Sequence, residues 1–416
     1  MLQSPRLTLV LAIVGAMLAG CAAPGTVGST PTPTGIPTQS PAPQRSPAPS
    51  DDPATSPAPQ ASPTPNVTPS PTLDAVAWSA PRLIRPGDCS RPSATIDSSG
   101  RRHVVTACDG GVRYLTSADG SSWAEMSIVP EIDVLEMNPQ VAVDGDTVHV
   151  VYDRLVPEDG GCGGDGLSEL GVFLSSRRLP NGAWSDPVRI GNEGDRLQAF
   201  RAARGVLHLT VSTSPEGSVV YESRSGSTLT RIAIPDALAT SLRVGDDGKA
   251  RIAFSTGQAV RYATVQSGTL SSVTVAESAD AYLRNPLLVL GPGNDGYIVW
   301  TRKIDPGGGC VERDPGPLDG TWFATDTSGA WATTRVTPSF GETSLTLDPT
   351  SGRIHVLVVE FPMTHYTSTD GSSWDAFAFT NGKDFVTPTI RIDPTTGALV
   401  VFALQFGQGV VVFGST

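Results

Sequence analysis

Aromatic residues, basic clusters and helical periodicity are all scarce in this sequence. Aromatic residues make up 6% of the 416 residues, and the formal net charge is -12 at pH 7. Nucleic acids and anionic lipid surfaces are bound through clustered lysines and arginines, so the acidic balance argues against both as partners. Because apolar residues do not recur with a period of 3.6 residues, the folded part of the chain is expected to be all-β.

No apolar run near the N-terminus is long enough to cross a membrane as a helix. The run from Leu7 to Leu18 follows Arg6, the only early positive charge, whereas a transmembrane helix needs about 20 apolar residues. A basic residue, a short apolar stretch and then small residues form the order of a secretory signal peptide. We therefore predict a signal peptide at residues 1–20 and an extracytoplasmic location.

The end of this signal peptide carries a short motif, Leu18-Ala19-Gly20-Cys21. It resembles the lipobox of bacterial lipoproteins, which implies cleavage before Cys21, lipidation of its thiol and attachment to the lipid bilayer of the cell membrane. The folded domain would then stand at the cell surface or in the periplasm. An ordinary signal peptide followed by an incidental cysteine is the alternative.

A proline-rich segment follows this cysteine. From Pro24 to about Thr72 the chain consists largely of Pro, Thr, Ser and Ala, which leaves too little apolar surface to offset the entropy of ordering. We predict that residues 21–73 form a disordered tether to a folded domain at residues 74–416. At about 3.1 Å per residue in a polyproline II conformation, the tether would reach about 150 Å. A generic linker without a spacing role is the alternative.

One unit recurs seven times in the folded domain, at a spacing of about 45 residues apart from two insertions. Each unit has a short strand, a tight turn containing Asp and Gly, a more apolar strand and two further strands. Four-stranded units at this period predict a β-propeller, whereas length alone would suggest two domains. The first strands of the units are expected near Ala94, Pro139, Gln198, Ser241, Pro286, Thr343 and Pro388.

The last unit, from Pro388 to Thr416, has room for only three strands. The segment from Trp78 to Ile84 has the same Trp-Ser-x-Pro pattern as Trp184–Ile190, which ends the second unit. We predict that this N-terminal segment supplies the missing outer strand, so that the ring closes without an open sheet edge. The closure favours seven blades, and six or eight stay open.

Two segments share the pattern Ser-x-Asp-Gly-Ser-Ser-Trp, at residues 117–123 and 368–374. They resemble the Asp-box, or BNR repeat, of sialidase-like propellers, in a form one residue shorter. The resemblance implies a turn between the third and fourth strands, on the face opposite the ligand site. The side chains are expected to hold the turn and to wedge Trp between sheets, without a role in chemistry. The pattern residues are Ser117, Asp119, Gly120, Trp123, Ser368, Asp370, Gly371 and Trp374.

Four of the five histidines occupy one position, at the start of the second strand of a unit. Because unrelated catalytic residues would not share a repeat position, we predict packing or hydrogen-bonding roles for His103, His149, His208 and His355. His365 breaks the pattern and is expected in the loop between the second and third strands of the sixth unit, beside Glu360.

The four cysteines after Cys21 lie in a compartment that permits disulfides. Cys89 and Cys108 are expected at the same rim of the first unit, and we predict a bridge between them. Cys162 and Cys310 lie in the two insertions, at the same distance after Arg154 and Arg302. They would form a bridge across the mouth of the central channel. Zinc binding is the alternative, but no His or Cys lies near these cysteines at the spacing of zinc ligands. Neither a metal nor another cofactor is therefore predicted.

The insertions are expected on the face that binds ligands in propellers. Charged residues at strand ends around a concave mouth suit ligand binding. Six charged or polar residues are expected near the rim of this face. The leading hypothesis is a non-enzymatic module that binds a glycan or protein; the alternative for Arg154 and Arg302 is that they pair with nearby acids and brace the loops. The candidate ligand-binding residues are Asp153, Arg154, Arg284, Arg302, Glu360 and His365.

The resemblance to sialidases implies a second hypothesis, a glycoside hydrolase. Sialidases hold a substrate carboxylate with three arginines and use a Tyr nucleophile activated by Glu. They also carry Phe-Arg-Ile-Pro, to which the nearest string here is Leu83-Ile84-Arg85-Pro86. No Tyr-Glu pair is evident beside the rim arginines, so binding is favoured over catalysis. A scaffold that recruits other envelope components is a third hypothesis.

Overall fold

The computed structural model describes residues 76–109, 111–129, 135–158, 166–214, 217–304, 316–378 and 385–415. The chain divides into two units, Met1–Pro69 and Ser70–Thr416, and all described residues belong to the second. Cys21, Cys162 and Cys310 lie outside the described residues, and so does the tether. None of the helices in the described ranges is long and apolar enough to span a membrane.

The described residues form 28 strands in seven four-stranded antiparallel sheets, which we call blades 1 to 7. Blade 7 also contains the first strand of the chain, β1 (Arg82–Pro86). The strands of blades 1 to 3 are β2 (Ser93–Ile96), β3 (Arg102–Cys108), β4 (Gly111–Ser117), β5 (Ala124–Ser127), β6 (Leu135–Asp144), β7 (Thr147–Glu158), β8 (Gly166–Arg178), β9 (Val188–Arg189), β10 (Arg196–Ala203), β11 (Val206–Ser212), β12 (Val219–Ser225) and β13 (Thr228–Ile234).

The second half of the ring has the same order, with a short 3-10 turn at Pro292–Asn294 in blade 5. The strands of blades 4 to 7 are β14 (Ala239–Val244), β15 (Ala250–Ser255), β16 (Ala259–Gln266), β17 (Thr269–Glu277), β18 (Ala281–Leu290), β19 (Gly296–Ile304), β20 (Gly320–Thr325), β21 (Ala332–Thr337), β22 (Thr343–Leu347), β23 (Ile354–Val358), β24 (Thr364–Ser368), β25 (Asp375–Ala378), β26 (Phe385–Ile392), β27 (Leu399–Gln405) and β28 (Gly409–Gly414).

The blades close into a ring around a central channel. The first strand of each blade is innermost and contacts the first strands of both neighbouring blades, including β2 with β26. The outer strand of blade 7 is β1, which pairs with β28 and places Leu83 opposite Val411. The predictions of an all-β, seven-bladed propeller and of closure by the N-terminal strand are therefore confirmed.

The connections define two faces of the ring. The lower face carries the turns between the first and second and between the third and fourth strands of each blade; the upper face carries the other connections. On the lower face, the Asp97 carboxylate accepts hydrogen bonds from the N–H groups of Ser99 and Arg101, at 2.9 and 3.0 Å. Such a side chain caps its own turn, which explains why Asp recurs there.

The two Ser-x-Asp-Gly turns also lie on the lower face, between third and fourth strands. Asp119 Oδ1 accepts N–H bonds from Ser121 and Ser122 at 2.7 and 3.0 Å, and Asp370 makes the same two bonds to Ser372 and Ser373. The Ser121 hydroxyl and these N–H groups hold the pKa of Asp119 well below its usual range, and the Ser372 N–H is the main cause of the same lowering of the pKa at Asp370. The carboxylates are thus occupied within their own turns.

Five blades have a Trp just before the fourth strand, and each Trp packs on an aromatic ring of the preceding blade. The ring centroids are 5.1 to 6.1 Å apart. This edge contact fills the wedge-shaped gap between two diverging sheets. The pairs are Trp78 with His365, Trp123 with Phe402, Trp184 with Tyr114, Trp331 with Tyr262, and Trp374 with Phe323.

Blades 3 and 4 have Thr228 and Thr269 at the start of the fourth strand and no Trp before it. Between blades 2 and 3, where the wedge is missing, lies a cavity of 610 Å³ lined by Leu174, Val188 and Gly226, among others. A Thr side chain is too small to fill the gap that Trp fills elsewhere. The cavity thus lies at a junction that lacks the Trp contact of other blades.

The repeated histidines form hydrogen bonds inside the blades, as predicted. The Nδ1 atoms of His103 and His208 lie 2.6 and 2.7 Å from the hydroxyl oxygens of Tyr114 and Tyr221. His149 Nδ1 lies 2.8 Å from the Ser176 hydroxyl oxygen. These side chains therefore connect the second strand of a blade to the third.

The fourth repeated histidine, His355, pairs with His365, and here the sequence prediction was wrong. His365 lies in strand β24 and is fully buried, not in the loop before it. Its Nε2 lies 3.1 Å from His355 Nδ1, and the two rings stack at 5.2 Å. Burial lowers the pKa of His355 to about 4 and that of His365 to about 3. His365 is a core residue of blade 6.

The predicted bridge between Cys89 and Cys108 is present. The two residues lie opposite each other in an isolated antiparallel bridge at the upper end of β3. The disulfide thus fastens the segment between β1 and β2 to blade 1, next to the point of ring closure.

Candidate functional site

Three first strands share one irregularity where they approach the upper face. Asn138, Asn285 and Thr387 each precede a proline, have φ of 51 to 52°, and coincide with a shift in strand register. A bulge of this kind turns the neighbouring side chain out of the regular alternation. In blades 2 and 5 the neighbouring side chains are Met137 and Arg284, and both are exposed.

Arg284 is the most accessible of the six candidate residues. Its guanidinium lies over the ring of Tyr282, 4.7 Å from the ring centroid, and it forms no ion pair within the part of the chain that the structure describes. Stacking on an aromatic ring stabilises one face of the guanidinium and leaves its N–H donors free for a ligand. Arg284 and Tyr282 therefore form a preorganised polar and aromatic pair at the upper mouth of the channel.

Arg302 and Arg154 both pair with acids inside their own blades. Arg302 lies between Asp280 and Asp319, at 2.9 and 3.2 Å. Arg154 lies 3.2 Å from Glu136, a buried residue whose pKa is raised by desolvation. Both arginines thus have the partners that a bracing role requires, and ligand binding by either stays a prediction.

Asp153 faces the neighbouring blade. Its Oδ1 accepts the N–H of Leu197 at 2.8 Å, while the Asn138 amide donates to the Leu197 carbonyl at 2.7 Å. Burial raises the pKa of Asp153 to about 7. Asp153 and Asn138 thus both bond to the backbone of Leu197 and join blade 2 to blade 3. Ligand binding by Asp153 stays a prediction.

Glu360 accepts a hydrogen bond from the Tyr366 hydroxyl at 2.6 Å. No Tyr-Glu pair was predicted beside the rim arginines, and this pair lies in a different blade from Arg154 and Arg302. Burial and the neighbouring Glu360 raise the pKa of Tyr366 to about 12, which keeps the phenol protonated. The pair lies in blade 6, whereas Arg154 and Arg302 lie in blades 2 and 5.

The upper face also carries exposed apolar side chains that sequence reasoning missed. Phe361 is 76% exposed and Phe406 is 72% exposed, each in a loop between second and third strands. All other large exposed apolar residues of the described part lie on this face or on an outermost strand. Exposed apolar residues that share one face make that face the candidate interaction surface. The upper-face set is Met137, Leu238, Leu318, Phe340, Phe361 and Phe406.

The sequence does contain a signal for the two loop phenylalanines: an aromatic residue in a short loop between strands is too far from the core to be buried in it. No cluster of three or more His, Cys, Asp or Glu side chains suitable for a metal occurs among the described residues. The geometry that the structure does show is a face with exposed aromatic and apolar side chains and an exposed arginine, Arg284, that has no ion-pair partner among the described residues. Arg91 and Arg196 are also exposed on this face, but they pair with Glu342 and Glu169.

No known protein family and no curated protein matches the chain. Several solved structures are similar to the chain in fold. A polysaccharide lyase of family PL25, an ulvan lyase bound to -[GlcA(1-4)Rha3S]-, has a TM-score of 0.57 at 13% identity, over 79% of this chain and 93% of that chain. The polysaccharide lyase Uly1 has a TM-score of 0.51 at 11% identity, over 77% and 88%. The Trypanosoma rangeli sialidase has a TM-score of 0.48 at 10% identity, over 79% and 55%. These likenesses concern the propeller fold.

Proposed function

We propose that the protein is a lipid-anchored extracytoplasmic propeller whose upper face binds a glycan. The observation that carries the proposal is the concentration of exposed aromatic and apolar side chains on that face, beside the stacked pair of Arg284 and Tyr282. Aromatic rings suit the apolar faces of sugars, and guanidinium N–H groups suit their oxygen atoms. The two polysaccharide lyases that share the fold add support for a saccharide ligand.

Binding is proposed in preference to hydrolysis. Glu360 and Tyr366 bond to each other in blade 6, and Arg302 is held by two aspartates in blade 5. A sialidase-like mechanism would need such groups to converge on one substrate, whereas here they lie in separate pairs. An envelope protein as the partner, the scaffold hypothesis, is the competing outcome of the binding experiment.

The proposed binding role is tested by Arg284→Ala. We expect the affinity for a glycan identified on an array to fall about tenfold to a hundredfold, because a charged hydrogen bond and its stacked support are both lost. Calorimetric titration of the purified protein measures the change. Arg178→Ala is the matched control, since Arg178 is an exposed arginine near the lower face, paired with Asp146. Equal affinities for the wild type and Arg284→Ala would contradict the assignment of this face.

The proposed anchor is tested by Cys21→Ser. Without the thiol no lipid can be attached, so we expect the variant to move from the membrane fraction to the soluble extracytoplasmic fraction. Incorporation of a radiolabelled fatty acid into the wild type, and its loss in the variant, gives a second readout. A variant that stays in the membrane fraction would show that another element holds the protein there.

A further inference from the structure

Three arginines occupy the same repeat position on the innermost strands. Arg201 in β10, Arg243 in β14 and Arg391 in β26 each lie one or two residues before the end of the strand, next to the turn on the lower face. The other blades have Thr95, Ala142, Val289 and Thr346 at this position. Blades 3, 4 and 7 thus place three cationic side chains at one level of the ring.

The guanidinium groups lie at the inner edge of these strands. The N–H groups of Phe200 and Ile390 donate to Gln140 and Ser344 on the innermost strand of the preceding blade, so their backbone polar groups point away from the second strand. Each arginine donates from one terminal nitrogen to the carbonyl of its preceding residue on that edge, at 2.8 Å for Arg243 and Arg391. The side chains therefore lie along the wall of the central channel.

These three charges have no carboxylate partner among the described residues, although the protein as a whole is acidic. Two carboxylates of the adjoining lower turns are already used within the turns: Asp393 accepts the Thr395 N–H at 2.9 Å, and Asp144 accepts the Arg204 N–H at 3.0 Å. Arg201 and Arg391 lie on non-adjacent blades, yet the charge of Arg391 adds to burial in lowering the pKa of Arg201 to about 9. Burial alone lowers the pKa of Arg391 to about 10.

Like charges in a partly desolvated channel repel one another and lose hydration. A guanidinium has five N–H donors in a planar fork that matches an oxyanion. Only some of these donors are occupied by backbone carbonyls, including the Arg391 Nε bond to the Ala94 carbonyl at 2.9 Å. An anion between Arg201 and Arg391 would relieve their repulsion and use the remaining donors, and Arg243 lies at the same level of the ring.

We propose that the lower part of the central channel is an oxyanion-binding site formed by Arg201, Arg243 and Arg391. Its ligand class is a sulfate, a phosphate or a carboxylate, either as a free ion or as a substituent of a larger molecule. The site is at the opposite end of the channel from the face proposed to bind a glycan, and it does not depend on that proposal.

Calorimetric titration of the full-length chain in a non-ionic detergent tests the site. Sodium phosphate, sodium sulfate and sodium acetate are titrated separately, with ionic strength held constant by sodium chloride. We expect saturable binding of at least one oxyanion, weakened about tenfold or more by Arg201→Gln and by Arg391→Gln. Arg391→Lys keeps the charge and is expected to retain intermediate binding. Arg178→Gln removes an exposed, paired arginine and should leave binding unchanged.

The three titrants identify the chemistry, because phosphate and sulfate report a tetrahedral site and acetate a carboxylate site. Circular dichroism of each variant establishes that it is folded. Removal of an unpaired charge from the channel is expected to leave the fold intact, so the Gln variants remain informative. Absence of saturable binding by all three ions, or equal binding by the wild type and both Gln variants, would overturn the proposal.

Discussion

A chain shortened to begin at residue 88 is expected to be less stable by about 4 kcal/mol or more and to associate at micromolar concentrations. The deletion removes β1 and Trp78, whose ring packs on His365 at 5.5 Å, and loss of a packed aromatic side chain alone costs about 3–5 kcal/mol. It also exposes the unpaired edge of β28, and a free edge strand invites pairing with another molecule. Denaturant unfolding and size-exclusion chromatography measure the two effects.

The matched control is a chain that begins at Ser70, the first residue of the second compact unit. It keeps β1 and is expected to unfold at the same denaturant concentration as the full chain. Both shortened chains retain Cys89 and its disulfide, so the comparison isolates β1 and the residues just before it. A monomeric protein of unchanged stability from residue 88 onward would show that ring closure contributes little.

Acidification is expected to destabilise the protein strongly through its buried histidines. The pKa of His355 is lowered to about 4, of His365 to about 3 and of His208 to about 4, mainly by burial, against about 6.5 in an unfolded chain. Above pH 6.5 these groups are neutral in both states. Below it the unfolded chain takes up protons that the folded protein does not, so stability falls as the pH falls towards 4. At pH 5 each histidine costs about 2 kcal/mol.

Thermal unfolding between pH 4.5 and 7.5 checks this expectation. His365→Gln should flatten the decline of Tm at low pH, because one of the paired titrating groups is gone. His149→Gln is the control, since His149 is less buried and its replacement should change the slope less. Asp153 acts in the opposite direction: its pKa of about 7 means that its contribution to stability declines as the pH rises from about 4 to 7. Identical pH dependence of His365→Gln and the wild type would refute the role of the pair.

The ring could be predicted from the sequence because its determinants repeat. Turn residues such as Asp97, and Trp residues that pack between blades such as Trp184, recur at fixed positions. The Trp-Ser-x-Pro pattern shared by the segments at Trp78 and Trp184 identified the closing strand. These are local signals, since each residue acts on its own turn or on the adjacent blade. The position of His365 was wrong because the short strand Thr364–Ser368 follows a loop closely and has no clear boundary in the sequence.

The candidate site could not be predicted in the same way. Whether an arginine is free or paired depends on residues far away in the chain, as Asp280 and Asp319 show for Arg302. Arg154 is likewise paired because Glu136 lies beside it. The exposure of Phe361 likewise depends on whether another loop covers it. Sequence patterns indicate which face the residues occupy, whereas the three-dimensional arrangement decides which of them are available.

The missing Trp of blade 3 leaves the packing between neighbouring blades unequal around the ring. Five of the seven junctions between blades are fastened near the lower face by an aromatic contact. The junction of blade 3 with blade 4 lacks this contact but is filled by a buried apolar cluster that includes Tyr221, Leu242 and Phe254, whereas the junction of blade 2 with blade 3 contains the cavity. Segments with fewer buried apolar contacts open at lower free energy than the rest of a protein. The junction of blades 2 and 3 is therefore the compliant point of the ring, and any widening of the channel would start there.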